Sequence, residues 1–451
     1  MNELTNTRGN RPGPVSPTRR FHREFWLVCL IVSLGYVEAI PMGFYRFRLI
    51  DLVLILSALY FVGYLTKGRI DIRIRWLVFL YTGSIVLRAF LELEEASGIE
   101  ILRTLFGMAA LYLAPVIFFV VRESSVDGKN LVRILAIACL VSLISQLGLL
   151  PWGESYVTGQ VNLAPFLGIE RRDSLLRLDY METTITIWRA LSVGLTLAVL
   201  LFKTGPLVKV LGVAGLILQY GGGSGGRSAI LFLFLLPIAI IFIKGFKGKK
   251  ARRLLWAAGT GALLAGFYLW SPIGADIPVK TGGSHYGRVT EPLIVVTEGW
   301  DAAESAGGLG SRTTIYEKYV VSTLSDPSVL LVGRGFREGG AFEWKVMSGQ
   351  AHNVFLDILG LAGIVGLIFF LIFFGYVVSD LIKLVREAPE GTPSQIVAFS
   401  FAIGILFMVQ YMLVQATMGD RSFTIVFYLL AGHLKPITRW LQEMKGPVGQ
   451  V

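Results

Sequence analysis

The apolar residues of this chain are gathered into about a dozen long blocks between residues 25 and 433. Blocks of this kind cross a hydrocarbon core, which needs roughly 17 to 25 residues of helix. Inside lipid every backbone N–H and C=O must be satisfied within the segment, so such blocks fold as helices. Twelve spans are expected, at 25-44, 49-65, 76-91, 105-121, 131-150, 183-202, 206-220, 228-243, 254-270, 353-378, 395-416 and 422-434. Composition agrees, because 54% of the 451 residues are hydrophobic and 16% charged. A soluble chain averages about 45–50% and about 25%. The expected fold class is an all-α polytopic membrane protein. Residues 1-24 form a disordered basic cytoplasmic tail, 25-270 carry spans one to nine, and 271-352 form one large extracytoplasmic loop. Residues 353-434 carry spans ten to twelve, and 435-451 form a cytoplasmic tail.

A net charge of +11 in a soluble chain would suggest nucleic acid; in a membrane protein it first reports orientation. With both termini cytoplasmic, the inner segments hold 25 of the 42 Lys and Arg, the short outer loops eight and the large outer loop seven. Arg88 and Arg189 fall inside spans, where a charge is suspected of function or of an ion pair, unless it snorkels to the interface. The inner segments mix 14 Arg with 11 Lys, whereas the outer ones carry 12 Arg and 3 Lys. A planar guanidinium binds oxyanions bidentately, and an inner Lys excess suits anionic headgroups. The first apolar block carries Glu38 and lacks a small-x-small cleavage site, so it reads as an uncleaved span. Cys29 and Cys139 both lie in spans, which leaves no disulfide, zinc site or thiol nucleophile to argue on the outer face. No internal repeat divides the spans into similar halves.

The outer segments carry the chemistry. Residues 221 to 228 read GGGSGGRS and run straight into a span, so backbone N–H groups can approach an anion beside Arg227 and Ser228 at a helix start. Without GK[ST] it is no Walker loop, and its plainest alternative is a tight turn. In the large loop Ser311 and Arg312 precede TTIYEKYVVSTLSD, where Ile315, Tyr316, Tyr319, Val320 and Leu324 share one face of an amphipathic helix that stops before Pro327. A cation at its first turn opposes the helix dipole, which favours an anionic partner for Arg312. Next come VLLVGRGF, with Arg334 between two glycines, and AHNVFLDILGLAGIVGL leading into span ten. Of four histidines, only His285 and His352 face outward, and His352 with Asn353 sits at the mouth of a span. Imidazole is the side chain best placed to exchange a proton near neutral pH.

This order of motifs resembles the O-antigen ligase and O-antigen polymerase family of bacterial envelope glycosyltransferases. The most specific part is the His-Asn pair followed by a leucine-rich stretch and Gly-x-x-Gly, matched by His352, Asn353, Leu356, Leu359, Gly363 and Gly366. The resemblance implies a GT-C-like fold in the bacterial inner membrane and metal-independent transfer with no cofactor. It implies a polyprenyl-diphosphate-linked glycan donor, used on the periplasmic face, and a hydroxyl acceptor on a lipid core or a growing glycan. The bilayer is a partner and nucleic acid is not. The family's functional arginines fall on Arg227 and Arg312, and its functional histidine on His352.

Breaking a glycosyl-phosphate bond leaves charge on the diphosphate, which fixed cations and backbone donors must meet. Arg227, Arg312 and Arg334 fit that role with Ser228 in support, while His352 orients or deprotonates the acceptor hydroxyl beside Asn353. Ligation and polymerisation share this donor and motif set, so both stay open. A secondary transporter or lipid-linked glycan flippase would share the spans and the outer arginines. Against it stand the absence of repeated halves and the placing of ionisable residues in outer loops rather than at the bilayer midplane.

Overall fold

The computed structural model describes residues 38–42, 45–66, 71–91, 109–147, 160–162, 177–179, 182–202, 204–221, 240, 243–245, 248, 252, 324–333, 353–414 and 421–444. Eleven helices and four short strands lie among those residues. Six helices follow the expected blocks closely: α1 (Leu49–Thr66), α2 (Ile72–Leu91), α3 (Ala109–Arg122), α4 (Gly128–Leu147), α5 (Glu182–Leu201) and α6 (Pro206–Gly221). α7 (Pro327–Val332) is a single short helix, and α8 (Val354–Glu387) is the longest at 34 residues. α9 (Pro393–Val414), α10 (Arg421–Gly432) and α11 (Leu434–Met444) complete the set. Spans 228-243 and 254-270 lie outside the described residues except at 240 and 243.

Three expectations change. The block at 25-44 does not end as a helix, because β1 (Glu38–Met42) pairs antiparallel with β2 (Tyr45–Arg48). Pro41 has no N–H for a helical ladder, and its fixed φ suits an extended chain. A second ribbon, β3 (Gln160–Asn162) with β4 (Arg177–Asp179), lies against β1, so the fold is helical but not purely α. The last block breaks at His433, and residues expected in a cytoplasmic tail form α11, whose Leu434, Ile437 and Leu441 lie on one buried face.

Among the described residues two helical stretches are long and apolar enough to cross a membrane, Ala362–Glu387 and Pro393–Leu413. α1, α2, α6 and α8 also expose large apolar side chains, among them Leu59, Phe79, Leu207, Leu211 and Ile368. In water such faces would be a liability; against hydrocarbon they are not. The protein interior is built around α10, where residues 423 to 434 are buried all round. α5 and α9 form the most extensive packed pair and run antiparallel, with Gly194 facing Ser400 and Gly404 facing Leu191. A Cβ on Gly194 would overlap the Ser400 carbonyl, so this crossing depends on a residue with no side chain. Phe118 and Phe119 of α3 pack edge-on against Phe373 of α8, at ring-centroid distances of 4.9 and 5.9 Å, and Tyr428 of α10 closes the cluster 4.8 Å from Phe373.

At the end of that cluster a buried ion pair joins α3 to α8. Arg122 donates through Nε to one Asp380 carboxylate oxygen at 2.5 Å and through Nη2 to the other at 3.0 Å. The guanidinium also lies over the Tyr376 ring, 5.2 Å from its centroid. Next in sequence, Glu123 accepts from Lys435 of α11 at 2.7 Å, and Arg439 donates to the Arg122 carbonyl. Lys244 donates to the Ala388 and Arg386 carbonyls at 2.7 and 3.2 Å, so a cation meets the last carbonyls of α8. Segments assigned by charge to one face therefore meet at one end of the bundle. β2, the second ribbon and the start of α8 belong to segments assigned to the opposite face.

Removing one partner of a buried pair leaves an uncompensated charge, which costs about 3–5 kcal/mol. Asp380→Ala is accordingly expected to lower the unfolding temperature of detergent-solubilised protein sharply. The double variant Arg122→Met/Asp380→Leu should recover most of that loss.

Candidate functional site

The first turn of α8 is organised by Asn353. Its backbone is extended (φ −148°, ψ 119°), and its side-chain oxygen accepts from the Phe355 and Leu356 N–H groups at 3.0 and 3.4 Å. These are donors that a helix start otherwise leaves unbonded. The carboxamide nitrogen donates in the other direction, to the Leu413 carbonyl near the end of α9, at 3.3 Å. One side chain thus caps α8 and ties it to its neighbour. One turn on, the Asp357 N–H donates to the Asn353 carbonyl at 2.8 Å, and Asp357 itself is only 2% exposed.

Ten residues after the cap, α8 is interrupted at Gly363, which has φ +63° and ψ −168°. Only glycine takes that backbone without strain. The space a Cβ would fill is occupied by the Leu331 carbonyl and the Gly333 nitrogen. The segment that fills it is capped at both ends. Asp326 accepts from the Ser328 hydroxyl at 2.7 Å and from the Ser328 and Val329 amides at 2.8 and 3.4 Å, and Pro327 opens α7. Those hydrogen bonds, the Ser328 hydroxyl first, hold the Asp326 carboxyl below the usual carboxylate range. Gly333 ends the helix at φ +82°, with its N–H on the Val329 carbonyl at 2.8 Å. Gly333, the first residue of the GRGF motif, therefore meets the bend at Gly363 of the helix that Asn353 caps.

Of the residues expected to act, Asn353 is described and takes the place just given. His352, Arg227, Ser228, Arg312 and Arg334 lie outside the described residues, as does the amphipathic helix expected before Leu324. Of the two cations placed inside spans, Arg189 is 9% exposed beside buried Trp188 on α5. The Arg88 side chain lies outside the description. Among the described residues no group of three or more His, Cys, Asp or Glu is disposed to hold a metal ion.

Two acids of α8 escaped the sequence reading. Asp380 was hidden because its partner, Arg122, lies 258 residues away in sequence and counted only as one of the inner basic residues. Asp357 was hidden inside the apolar run that defines the motif. The available signal for Asp357 is a carboxylate flanked on either side by apolar residues of a spanning block, and for Asp380 an acid just past the end of one.

Comparison with protein-family models finds no match for this chain, and comparison with curated proteins finds none.

The cap and the tie to α9 are separable by substitution. Asn353→Ala should destabilise the protein by about 1–2 kcal/mol. Asn353→Asp keeps the acceptor and loses only the amide donor, so its melting temperature should fall between those of wild type and Asn353→Ala.

Proposed function

We propose that this protein is a polytopic, GT-C-like glycosyltransferase of the bacterial inner membrane, with about twelve spans and both termini cytoplasmic. It moves a glycan from a polyprenyl-diphosphate donor to an acceptor hydroxyl on the periplasmic face, in O-antigen ligation or in polymerisation of a surface polysaccharide. The observation that carries this reading is the meeting of two motif elements at one end of α8, where Gly333 of the GRGF turn abuts Gly363 of the His-Asn helix. That contact supports a site in which Arg334 enters beside the helix that begins just after His352.

The chemistry follows from charge. As the anomeric carbon leaves the diphosphate, two negative phosphates must be held without nucleotide or water, and guanidinium groups at Arg227, Arg312 and Arg334 supply fixed donors where that charge develops. Ser228 and the glycine backbone before it add neutral donors to the same anion. His352 takes the proton of the acceptor hydroxyl as it attacks. The Asn353 cap and the Gly363 bend hold the start of the helix that follows His352, an ordered support next to the base. The exposed apolar faces of α6 and α8 suit the polyprenyl chain of the donor, whose isoprene units are as apolar as lipid tails.

Alanine substitutions at His352, Arg227 and Arg312 provide the test, with membrane levels matched by immunoblot. Each is expected to lower surface glycan by on the order of 10²-fold or more. Wild-type glycan display by all three variants would rule the reading out.

A further inference from the structure

The cations at the Asp380 end of the bundle are of two kinds. Arg122, Lys244, Lys435 and Arg439 are each bonded to a carboxylate or a carbonyl of the protein. Arg73 near the start of α2, and Lys383 and Arg386 near the end of α8, are exposed, and among the described residues no ion pair joins them to a carboxylate. Asp71 precedes α2, but its carboxylate accepts from the Arg73 N–H at 2.8 Å and so caps the helix. Glu387 and Glu390, the acids that follow Arg386, have interactions of their own. The start of α2 and the end of α8 both belong to segments that the charge count places on the inner face.

The surface beside these cations is apolar and equally uncovered. α2 packs against α8. From Arg73 the outward face of α2 continues through Trp76, Phe79 and Leu80, with Trp76 58% and Phe79 66% exposed and their rings edge-to-face at 5.9 Å. From Lys383 the outward face of α8 runs back through Val378 to Gly375. At about 1.5 Å per residue each stripe extends about 10–12 Å from its cation, a little less than one leaflet of a hydrocarbon core about 30 Å thick. An exposed tryptophan beside unpaired cations at the end of such a stripe suits the level of lipid headgroups. A zwitterionic headgroup brings its own cation to its phosphate, whereas an anionic one leaves the phosphate charge for the protein to meet.

We propose that the outward faces of α2 and α8 at this end bind an anionic phospholipid, its phosphate met by Arg73, Lys383 and Arg386 and an acyl chain lying along Trp76, Phe79 and Leu80. This surface is at the opposite end of α8 from the motif residues. It requires a membrane-spanning chain and no transferase activity, so it stands or falls apart from the proposed function. Each cation at an anionic headgroup layer strengthens binding about five-fold. Three together favour an anionic over a zwitterionic lipid by on the order of 10²-fold at low salt, and less where ions screen them.

Trp76 is the reporter for the test. The full-length protein, and the same protein with Trp76→Phe, are placed in phosphatidylcholine vesicles that contain rising fractions of brominated phosphatidylglycerol or, in parallel, of brominated phosphatidylcholine. The difference between the two proteins isolates the Trp76 emission, which bromine quenches on contact. Phosphatidylglycerol should quench at a mole fraction lower by about ten-fold or more, and added salt should shrink that preference. Arg73→Gln/Lys383→Gln/Arg386→Gln should bring the two lipids to equal quenching, with the melting temperature in phosphatidylcholine unchanged. Equal quenching of the wild-type protein by both lipids overturns the proposal, and so does a preference that survives the triple substitution, which would put the anion elsewhere. Quenching by neither lipid would mean that protein, such as a second copy of this chain, covers the face, and overturns it as well. The two-lipid comparison on wild-type protein is decisive even where the triple variant does not fold.

Discussion

The pair between Arg122 and Asp380 sets where the longest helix can sit. Two charges taken out of water and bonded at 2.5 and 3.0 Å add little net stability over a well-packed apolar pair, but every arrangement that separates them is penalised by several kcal/mol. The register of α8 against α3 is therefore specified as much by what it excludes as by what it gains. Around that point the Glu123–Lys435 pair brings in α11, and Lys244 meets the last carbonyls of α8. One end of α8 is pinned on several sides, and the Phe118–Phe373–Tyr428 cluster carries that position into the interior.

The opposite end is held by lighter means: one carboxamide that caps α8 and reaches α9, and one glycine whose backbone makes room for the Leu331 carbonyl. A helix fixed at one end and bent near the other presents its mouth in a defined place. A base beside a reacting hydroxyl needs that order, since misplacement by about 1 Å is enough to lose on the order of 10²-fold in rate.

Much of the helical layout was legible because span length is a constraint set by lipid rather than by packing. The block expected at 206-220 is Pro206–Gly221, and the one at 395-416 is Pro393–Val414. Boundaries failed where tertiary partners overrode local character. α8 continues past residue 378 because Asp380 is satisfied by an arginine far away in sequence, so what looked like a solvated helix end is interior. The hairpin of β1 and β2 was masked by an apolar run in which a two-residue period cannot be seen against a helical one. α11 was readable in principle, since Leu434, Ile437 and Leu441 keep helical spacing, but its lysine and arginine suggested a free tail. At the site, the motif pointed to Asn353 and Gly363 as residues, while the cap, the bend and the contact with Gly333 needed coordinates.

What sets the proposed transferase apart from a carrier of the same lipid is the fate of the glycosyl-phosphate bond. Purified protein reconstituted in liposomes with a labelled polyprenyl-diphosphate glycan and an acceptor glycan measures it directly. Free polyprenyl diphosphate is expected to appear mole for mole with new glycosidic bonds. Passage of the intact donor from one leaflet to the other, with no diphosphate released, would contradict the account.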